Sequence, residues 1–115
     1  MSENCLFCKI SEGKIPAEIV AQDADLMVFK DITPQAPVHL LIIPRKHIVS
    51  LDNATAEDQE LLGKMLLKAA NIARELNFAT NGYRVVINTN NDGGQTVFHL
   101  HIHLLGGRQF LFPPG

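Results

Sequence analysis

The sequence predicts a single α+β domain in which a mostly antiparallel sheet of about five strands packs against one long helix. Length supports one domain, because 115 residues leave no room for a second. Segment order supports the class, since short apolar stretches of strand length lie on both sides of one long amphipathic stretch. Composition supports a buried core, because 46% of the residues are hydrophobic.

The first half of the chain is predicted to contain a short helical turn and three strands. Residues 5–10 are expected to form a short helical turn or an irregular piece. Residues 19–21 and 26–29 are short runs of strand-forming residues separated by an Asp-rich turn. Residues 39–43 are almost continuously apolar and end at Pro44, which is the pattern of a buried strand.

One long helix is predicted over residues 56–76. Thr55 and Asp58, three residues apart, fit a capping box at its beginning. Apolar residues at steps of three and four form one face, which we interpret as a core face rather than a stripe that binds a partner. That face comprises Leu61, Leu62, Met65, Leu66, Ala69, Ala73 and Leu76.

Two further strands and an apolar tail complete the chain. The strands are predicted over residues 83–88 and 96–105, with a glycine-containing loop between them. The tail over residues 110–115 contains two prolines and cannot be a central strand. We therefore expect the tail to pack on a surface or on a second subunit.

Charge excludes some partners. The formal net charge is −2, from 10 basic and 12 acidic residues, whereas nucleic-acid and membrane surfaces favour a basic excess. No apolar run approaches the length of a membrane span, and the N-terminus lacks the basic and apolar regions of a secretory signal. We therefore expect a cytoplasmic protein with no nucleic acid or membrane partner.

Three of the five histidines, His99, His101 and His103, alternate with apolar residues in the last predicted strand. Successive residues of a strand face opposite sides, so these alternating histidines share one side at spacings of roughly 6–7 Å. An ordinary half-buried strand and a metal-binding face are two interpretations; nucleophilic and acid–base chemistry by imidazole is the third, and we favour it. The intervening residues are expected to pack on the core: Phe98, Leu100, Ile102 and Leu104.

The loop before this strand, residues 92–96, reads Asp-Gly-Gly-Gln-Thr. Its glycine N–H groups, amide and hydroxyl could together cradle an anion such as a phosphoryl group. A plain turn at Gly93-Gly94 is the alternative. The nearby histidines favour the anion cradle.

Cys5 and Cys8 form a Cys-x-x-Cys pair, which is half of a zinc site. A thioredoxin-type redox motif is disfavoured, because such a motif should follow a strand and only four residues precede Cys5. Two reduced, buried cysteines acting as small hydrophobes are the other alternative.

The segment His99-Leu-His-Ile-His-Leu-Leu resembles the signature of the histidine triad superfamily, His-x-His-x-His followed by two apolar residues. The resemblance to the nucleotide-binding branch, the adenosine phosphoramidate hydrolases, covers nearly the whole chain. It implies one histidine triad domain over residues 1–115 that forms a homodimer through its sheet and helix. It also implies that the tail over residues 107–115 lies near the partner's active site. The other segments that carry the resemblance are residues 31–39, 43–47, 93–96 and 106–115.

The resemblance implies roles for particular residues. His101 would attack the α-phosphorus and carry a nucleotidyl-histidine intermediate, His103 would contact the phosphate and His39 would support the imidazole network. Thr96 would lie near the leaving group, and Asp31 would bind the ribose hydroxyls unless it is a plain turn aspartate. The other phosphate-binding residues would be Asn88, Gly94 and Gln95. The purine pocket would comprise Leu6, Phe7, Ile10, Phe29 and Leu41, for which a place in the core is the alternative.

The resemblance also implies that His47 and His99 complete a zinc site with Cys5 and Cys8. Four protein ligands leave no position open for water, so the zinc would be structural. It would tie the N-terminal segment to the sheet, and catalysis would need no cofactor.

These inferences favour hydrolysis of adenosine or guanosine 5′-phosphoramidates by two displacements at phosphorus. Three alternatives stay open: a dinucleoside polyphosphate hydrolase, a nucleotide-binding regulatory module with vestigial activity, and a zinc-dependent hydrolase. The ending over residues 108–115 disfavours the first, and retention of the three histidines with Gln95 and Thr96 disfavours the second. Chelators would abolish activity outright only in the third.

Overall fold

The computed structural model, which describes residues 4–115, contains five strands, one long helix and one short helix. All strand pairs are antiparallel, which confirms the predicted α+β architecture. Over the same residues, no helix combines the length and the apolar character that a bilayer span requires. In chain order the elements are α1 (Leu6–Ser11), β1 (Ile19–Gln22), β2 (Leu26–Lys30), β3 (Val38–Pro44), α2 (Gln59–Glu75), β4 (Tyr83–Val86) and β5 (Ile102–Gly106).

The strand order β1-β2-β3-β5-β4 puts β3 and β5 side by side near the centre of the sheet. Leu41 of β3 lies opposite His103 of β5, and His39 lies opposite Leu105. Because alternate residues of a strand face the same side, His39 and His103 are diagonal neighbours on one face. The register thus brings together two residues that are 64 positions apart in sequence.

Two separate apolar clusters cover the two faces of the sheet. The larger joins α2 to residues such as Val28, Ile42 and Leu104. The smaller joins α1 to the opposite face, which is the face that carries His39 and His103. The smaller cluster comprises Cys5, Phe7, Cys8, Ile10, Met27, Phe29, Leu41 and Ile43.

The long helix begins as predicted but buries a slightly different face. The capping box of Thr55 and Asp58 is confirmed, and it opens a 3₁₀ turn that leads into α2. The predicted core face was wrong at Leu66 and Leu76, which are 50% and 48% exposed. Leu66 is turned about 100° from Met65 around the helix axis, and Leu76 lies past the last helical residue. The buried residues of α2 are Met65, Ala69, Ile72 and Ala73.

The last two strands are shorter than predicted. β4 ends two residues early, and only the last four residues of the segment 96–105 belong to β5. Residues before β5 bond to loops instead: the Leu100 N–H donates to the Ile48 carbonyl over 2.6 Å. Phe98 is 49% exposed, so its predicted place in the core was wrong.

Candidate active site

The three alternating histidines divide into two groups. The ring centroid of His103 lies 5.0 Å from that of His101 and 5.2 Å from that of His39. His99 contacts the two cysteines instead. The prediction of one regular histidine row along a strand was therefore wrong, because His99 and His101 precede β5. The predicted burial of the intervening residues is confirmed for Leu100, Ile102 and Leu104.

The ring of His101 has one nitrogen engaged by the protein. Its Nδ1 lies 2.7 Å from the backbone carbonyl oxygen of His99, and since a carbonyl only accepts, Nδ1 carries the proton. The lone pair of a neutral ring is then on Nε2. The edge of Phe7 packs against the ring at 5.1 Å between centroids. His101 thus has the tautomer that a nucleophilic Nε2 requires.

A chain of hydrogen bonds sets the tautomers of His39 and His103. The backbone N–H of Gln35 donates to His39 Nδ1 over 3.0 Å, so the proton of neutral His39 is on Nε2. That Nε2–H donates to His103 Nδ1 over 2.9 Å. The proton of His103 is therefore on its Nε2, where it can donate to a ligand. An oxygen of Asp31 lies 3.5 Å from His39 Nε2.

Burial keeps the two neighbouring imidazoles neutral. Desolvation lowers the pKa of His101, although the His99 carbonyl and the Asp31 carboxylate oppose the change. Desolvation, followed by repulsion from His101 and His39, lowers the pKa of His103 to about 4. Near pH 7 the pair can therefore supply one nucleophilic nitrogen and one neutral N–H donor side by side.

The glycine loop is a tight turn whose polar groups largely serve one another. The amide of Gln95 donates to the carbonyls of Val49 and Val97, and its oxygen accepts from the N–H of Asn90. The Gly94 N–H donates within the turn over 3.0 Å. These donors are engaged within the protein, as expected for the plain-turn alternative. Phosphate contacts by Gln95 and Gly94 stay predictions.

The residues predicted to bind the rest of a nucleotide are found in different environments. Asp31 is half-buried and accepts from the Thr33 N–H, which is the turn role considered as its alternative. Asn88 is half-buried and Thr96 is exposed. Four of the five predicted pocket residues belong to the smaller apolar cluster, and the fifth, Leu6, is 45% exposed. Contact of these residues with a base stays a prediction. The four are Phe7, Ile10, Phe29 and Leu41.

The fold brings the four predicted metal ligands together. His99 Nδ1 lies 3.2 Å from Cys5 Sγ and 3.2 Å from His47 Nδ1, and Cys8 Sγ lies 3.3 Å from His47 Nδ1. All four donor atoms lie within 4.8 Å of one another. A tetrahedral zinc ion with bonds of about 2.0–2.3 Å separates its ligand atoms by roughly 3.3–3.8 Å, so this donor set fits zinc closely.

Hydrogen bonding prepares His99 as a ligand. Its Nε2–H donates to the Pro44 carbonyl over 2.7 Å, which leaves Nδ1 with a lone pair that faces the cysteines. Burial, followed by the neighbouring Cys5, raises the pKa of the Cys8 thiol to about 11. A metal ion at this cluster would therefore displace a thiol proton.

A surface cleft of about 470 Å³ lies beside this cluster. Thr96, the residue expected near a leaving group, lines this cleft together with His47 and Phe98. The cleft gives the exposed Thr96 a concave, partly apolar setting.

Sequence reasoning missed the groups that fix the tautomers. The Gln35 N–H, the His99 carbonyl and the Pro44 carbonyl are backbone groups, and no residue type marks them in a sequence. It also missed the packing of Phe7 on His101. The position of Phe7 between two cysteines of a short helix is the one signal that could have suggested it.

The sequence matches one protein-family model and a set of curated relatives over most of its length. Residues 4–110 match the family described as scavenger mRNA decapping enzyme C-term binding. The chain is 48% identical over 108 residues to the purine nucleoside phosphoramidase of Escherichia coli strain K12, which covers 94% of this chain and 91% of that protein.

Solved structures have the same fold. The HIT family hydrolase from Legionella pneumophila superposes with a TM-score of 0.96 at 52% identity, covering 97% of this chain and 100% of its own. The Zn-bound histidine triad family protein from Mycobacterium smegmatis gives a TM-score of 0.79 at 33% identity, covering 94% of this chain and 78% of its own.

Proposed function

This chain belongs to the histidine triad family, and on that basis we propose that it hydrolyses the phosphorus–nitrogen bond of purine nucleoside 5′-phosphoramidates. One observation carries the proposal: His101 has a neutral ring with its Nε2 lone pair available, beside the Nε2–H donor of His103. The name of the E. coli relative supports the same substrate class.

In the first step, His101 Nε2 forms a bond to the α-phosphorus while the phosphorus–nitrogen bond breaks. The amine takes a proton and leaves, and the nucleotidyl group stays on the ring. The ring becomes cationic in this step, and the His99 carbonyl that accepts from Nδ1–H stabilises that charge. In the second step, water forms an oxygen–phosphorus bond, the phosphorus–Nε2 bond breaks, and AMP or GMP is released with a proton.

The neighbouring histidines stabilise the phosphoryl oxygens. The Nε2–H of His103 donates to an oxygen that becomes more negative in the transition state. His39 supports this donor by filling the acceptor site at His103 Nδ1. Water exclusion around the buried His39 ring and the half-buried His103 ring strengthens both interactions.

The remaining contacts of the nucleotide follow from the family. Asp31 binds the ribose hydroxyls, and Thr96 contacts the leaving group from the cleft that it lines. Phosphate is bound by Asn88, Gly94, Gln95 and Thr96 together with His101 and His103. The base lies against Leu6, Phe7, Ile10, Phe29 and Leu41.

A structural zinc ion completes the proposal. Cys5, Cys8, His47 and His99 hold it, and the fit of their donor atoms to a tetrahedron supports this assignment. The Zn-bound relative with the same fold supports it further. The ion cross-links α1 to the loops beside the sheet, and the reaction itself uses no cofactor.

The protein acts as a homodimer in the cytoplasm, without a nucleic acid or membrane partner. Exposed apolar side chains on α2 and in the tail support an association of two copies; they include Leu66, Leu67, Leu111 and Phe112. Cys5 and Cys8 are not joined by a disulfide, which suits a reducing compartment. The tail over residues 107–115 lies near the partner's active site.

Turnover of adenosine 5′-monophosphoramidate tests the function. The parent protein and Glu75→Gln, a control at the exposed end of α2, should release AMP at equal rates. His101→Ala should be slower by at least about a thousandfold, as expected for loss of a nucleophile. Activity in His101→Ala equal to that of the parent would refute the proposed role. Faster turnover of a dinucleoside polyphosphate than of the phosphoramidate would refute the substrate class.

A further inference from the structure

The metal-type cluster and the nucleophile share one residue. The His99 ring faces the cysteines through Nδ1 and is held by the Pro44 carbonyl through Nε2. The backbone carbonyl of His99 accepts from the Nδ1–H of His101 over 2.7 Å. Because that carbonyl carbon is bonded to the Cα that carries the ring, a shift of the ring moves the hydrogen bond that sets the tautomer of His101.

A second connection passes through α1. Cys5 accepts at the beginning of this helix and Cys8 lies within it. Between them, Phe7 packs edge-on against His101 at 5.1 Å and against Phe29 at 5.5 Å. A helix of six residues is too short to be stable alone, so the position of Phe7 depends on what anchors α1.

We propose that the cluster of Cys5, Cys8, His47 and His99, with its metal bound, positions the nucleophile through the His99 carbonyl and the Phe7 ring. His99, a ligand of the cluster, and Phe7, a core residue, then also position the ring of His101. The kinetic consequence of this inference rests on the proposed function, whereas its consequence for the tautomer of His101 does not.

Both connections act on the same ring. With the four ligands held together, the His99 carbonyl keeps the proton of His101 on Nδ1, and Phe7 prevents the ring from rotating toward α1. When the ligands separate, α1 and the His99 backbone shift, and His101 samples the tautomer with the proton on Nε2. That tautomer has its lone pair on Nδ1 and none on Nε2, the nitrogen that attacks phosphorus.

The test compares zinc-loaded parent protein with the chelator-treated parent and with His47→Ala. His47 is the ligand of choice because it belongs to neither α1 nor the segment 99–101, and because its replacement removes a side chain but not the backbone hydrogen bond between Ile48 and Leu100. Ile72→Ala is the control, since it removes apolar volume from the α2 core without contact to the cluster. Cys8→Ala serves as a second variant if His47→Ala does not fold.

The first readout is the nitrogen NMR spectrum of the histidine rings, which needs no substrate. The zinc-loaded parent and Ile72→Ala should show His101 with its proton on Nδ1, and loss of zinc should give a mixture of tautomers. The second readout is turnover, where loss of zinc should lower kcat roughly 10- to 100-fold, the scale expected when a reacting group is misplaced by about 1 Å.

The outcomes separate the two proposals. An unchanged His101 tautomer after zinc removal and in His47→Ala would overturn the positioning role, as would a parent protein that takes up no zinc. A parent that fails to turn over phosphoramidate would overturn the proposed function, while the ring-nitrogen spectra would still decide whether the cluster positions His101.

Discussion

Replacement of His39 by phenylalanine tests the hydrogen-bond chain beside the nucleophile. The change keeps a flat ring of similar size but removes the Nε2–H that donates to His103 Nδ1 over 2.9 Å. Without that donor the proton of His103 is no longer held on Nε2 and can move to Nδ1, and a lone pair then faces the phosphoryl oxygen. An unmade buried hydrogen bond costs about 1–3 kcal/mol. That corresponds to roughly a 5- to 150-fold loss in kcat/KM.

The assay is steady-state hydrolysis of adenosine 5′-monophosphoramidate, with folding verified by thermal unfolding. His39→Gln is the matched control, because its amide can still donate to His103 and accept from the Gln35 N–H. It should lose less activity than His39→Phe. If folded His39→Phe hydrolyses the substrate as fast as the parent, the reasoning about the tautomer of His103 is refuted.

Three further predictions concern stability. Gly93→Ala places a Cβ 2.3 Å from the Thr89 carbonyl oxygen and should lower the free energy of unfolding by about 1–3 kcal/mol in urea titrations. The control Gly63→Ala, in open space on α2, should raise it by up to about 1 kcal/mol, and equal effects would contradict the steric argument. Gln95→Leu leaves the loop groups that it braces without partners and should cost about 1–3 kcal/mol, so an unchanged Tm would contradict that role. A backbone N–H donor and a nearby lysine lower the pKa of Asp23 to about 2, so its contribution is present above about pH 4 and is lost as pH falls toward 2. Asp23→Asn should flatten the plot of unfolding free energy against pH in that acid range only, and an unaltered plot would argue against the lowered pKa of Asp23.

The sequence predicted the histidine segment well where side-chain alternation decides which residues pack on the α2 core. Leu100, Ile102 and Leu104 are in the core because strict alternation divides polar from apolar residues whether or not the backbone is in a sheet. The same pattern overestimated the length of the strand. The Leu100 N–H bonds to the Ile48 carbonyl rather than to a neighbouring strand, and no local pattern encodes that partner.

For α2 as well, local features could be predicted from the sequence and tertiary ones could not. The capping box of Thr55 and Asp58 could be predicted because it is local chemistry between residues three apart. The centre of the buried face could not, since Leu66 and Met65 are equally apolar and only the docking of α2 on the sheet distinguishes them.

In the candidate site, the family resemblance predicted which residues lie together at the metal-type cluster, and the fold determined how the histidines are protonated. His47 and His99 meet the two cysteines as expected. The tautomers depend on the Gln35 N–H and the His99 carbonyl, whose positions arise only when strands and loops distant in sequence pack together.

Detection of the covalent intermediate tests the central claim most directly. The parent protein would be mixed with excess adenosine 5′-monophosphoramidate, denatured within milliseconds at alkaline pH, digested and analysed by mass spectrometry. We predict a nucleotidyl group on the peptide that contains His101, attached at Nε2 and absent when His101→Ala is treated in the same way. Turnover by a parent protein that never carries this adduct, or an adduct located on His99 or His103, would contradict the assignment of His101 as the nucleophile.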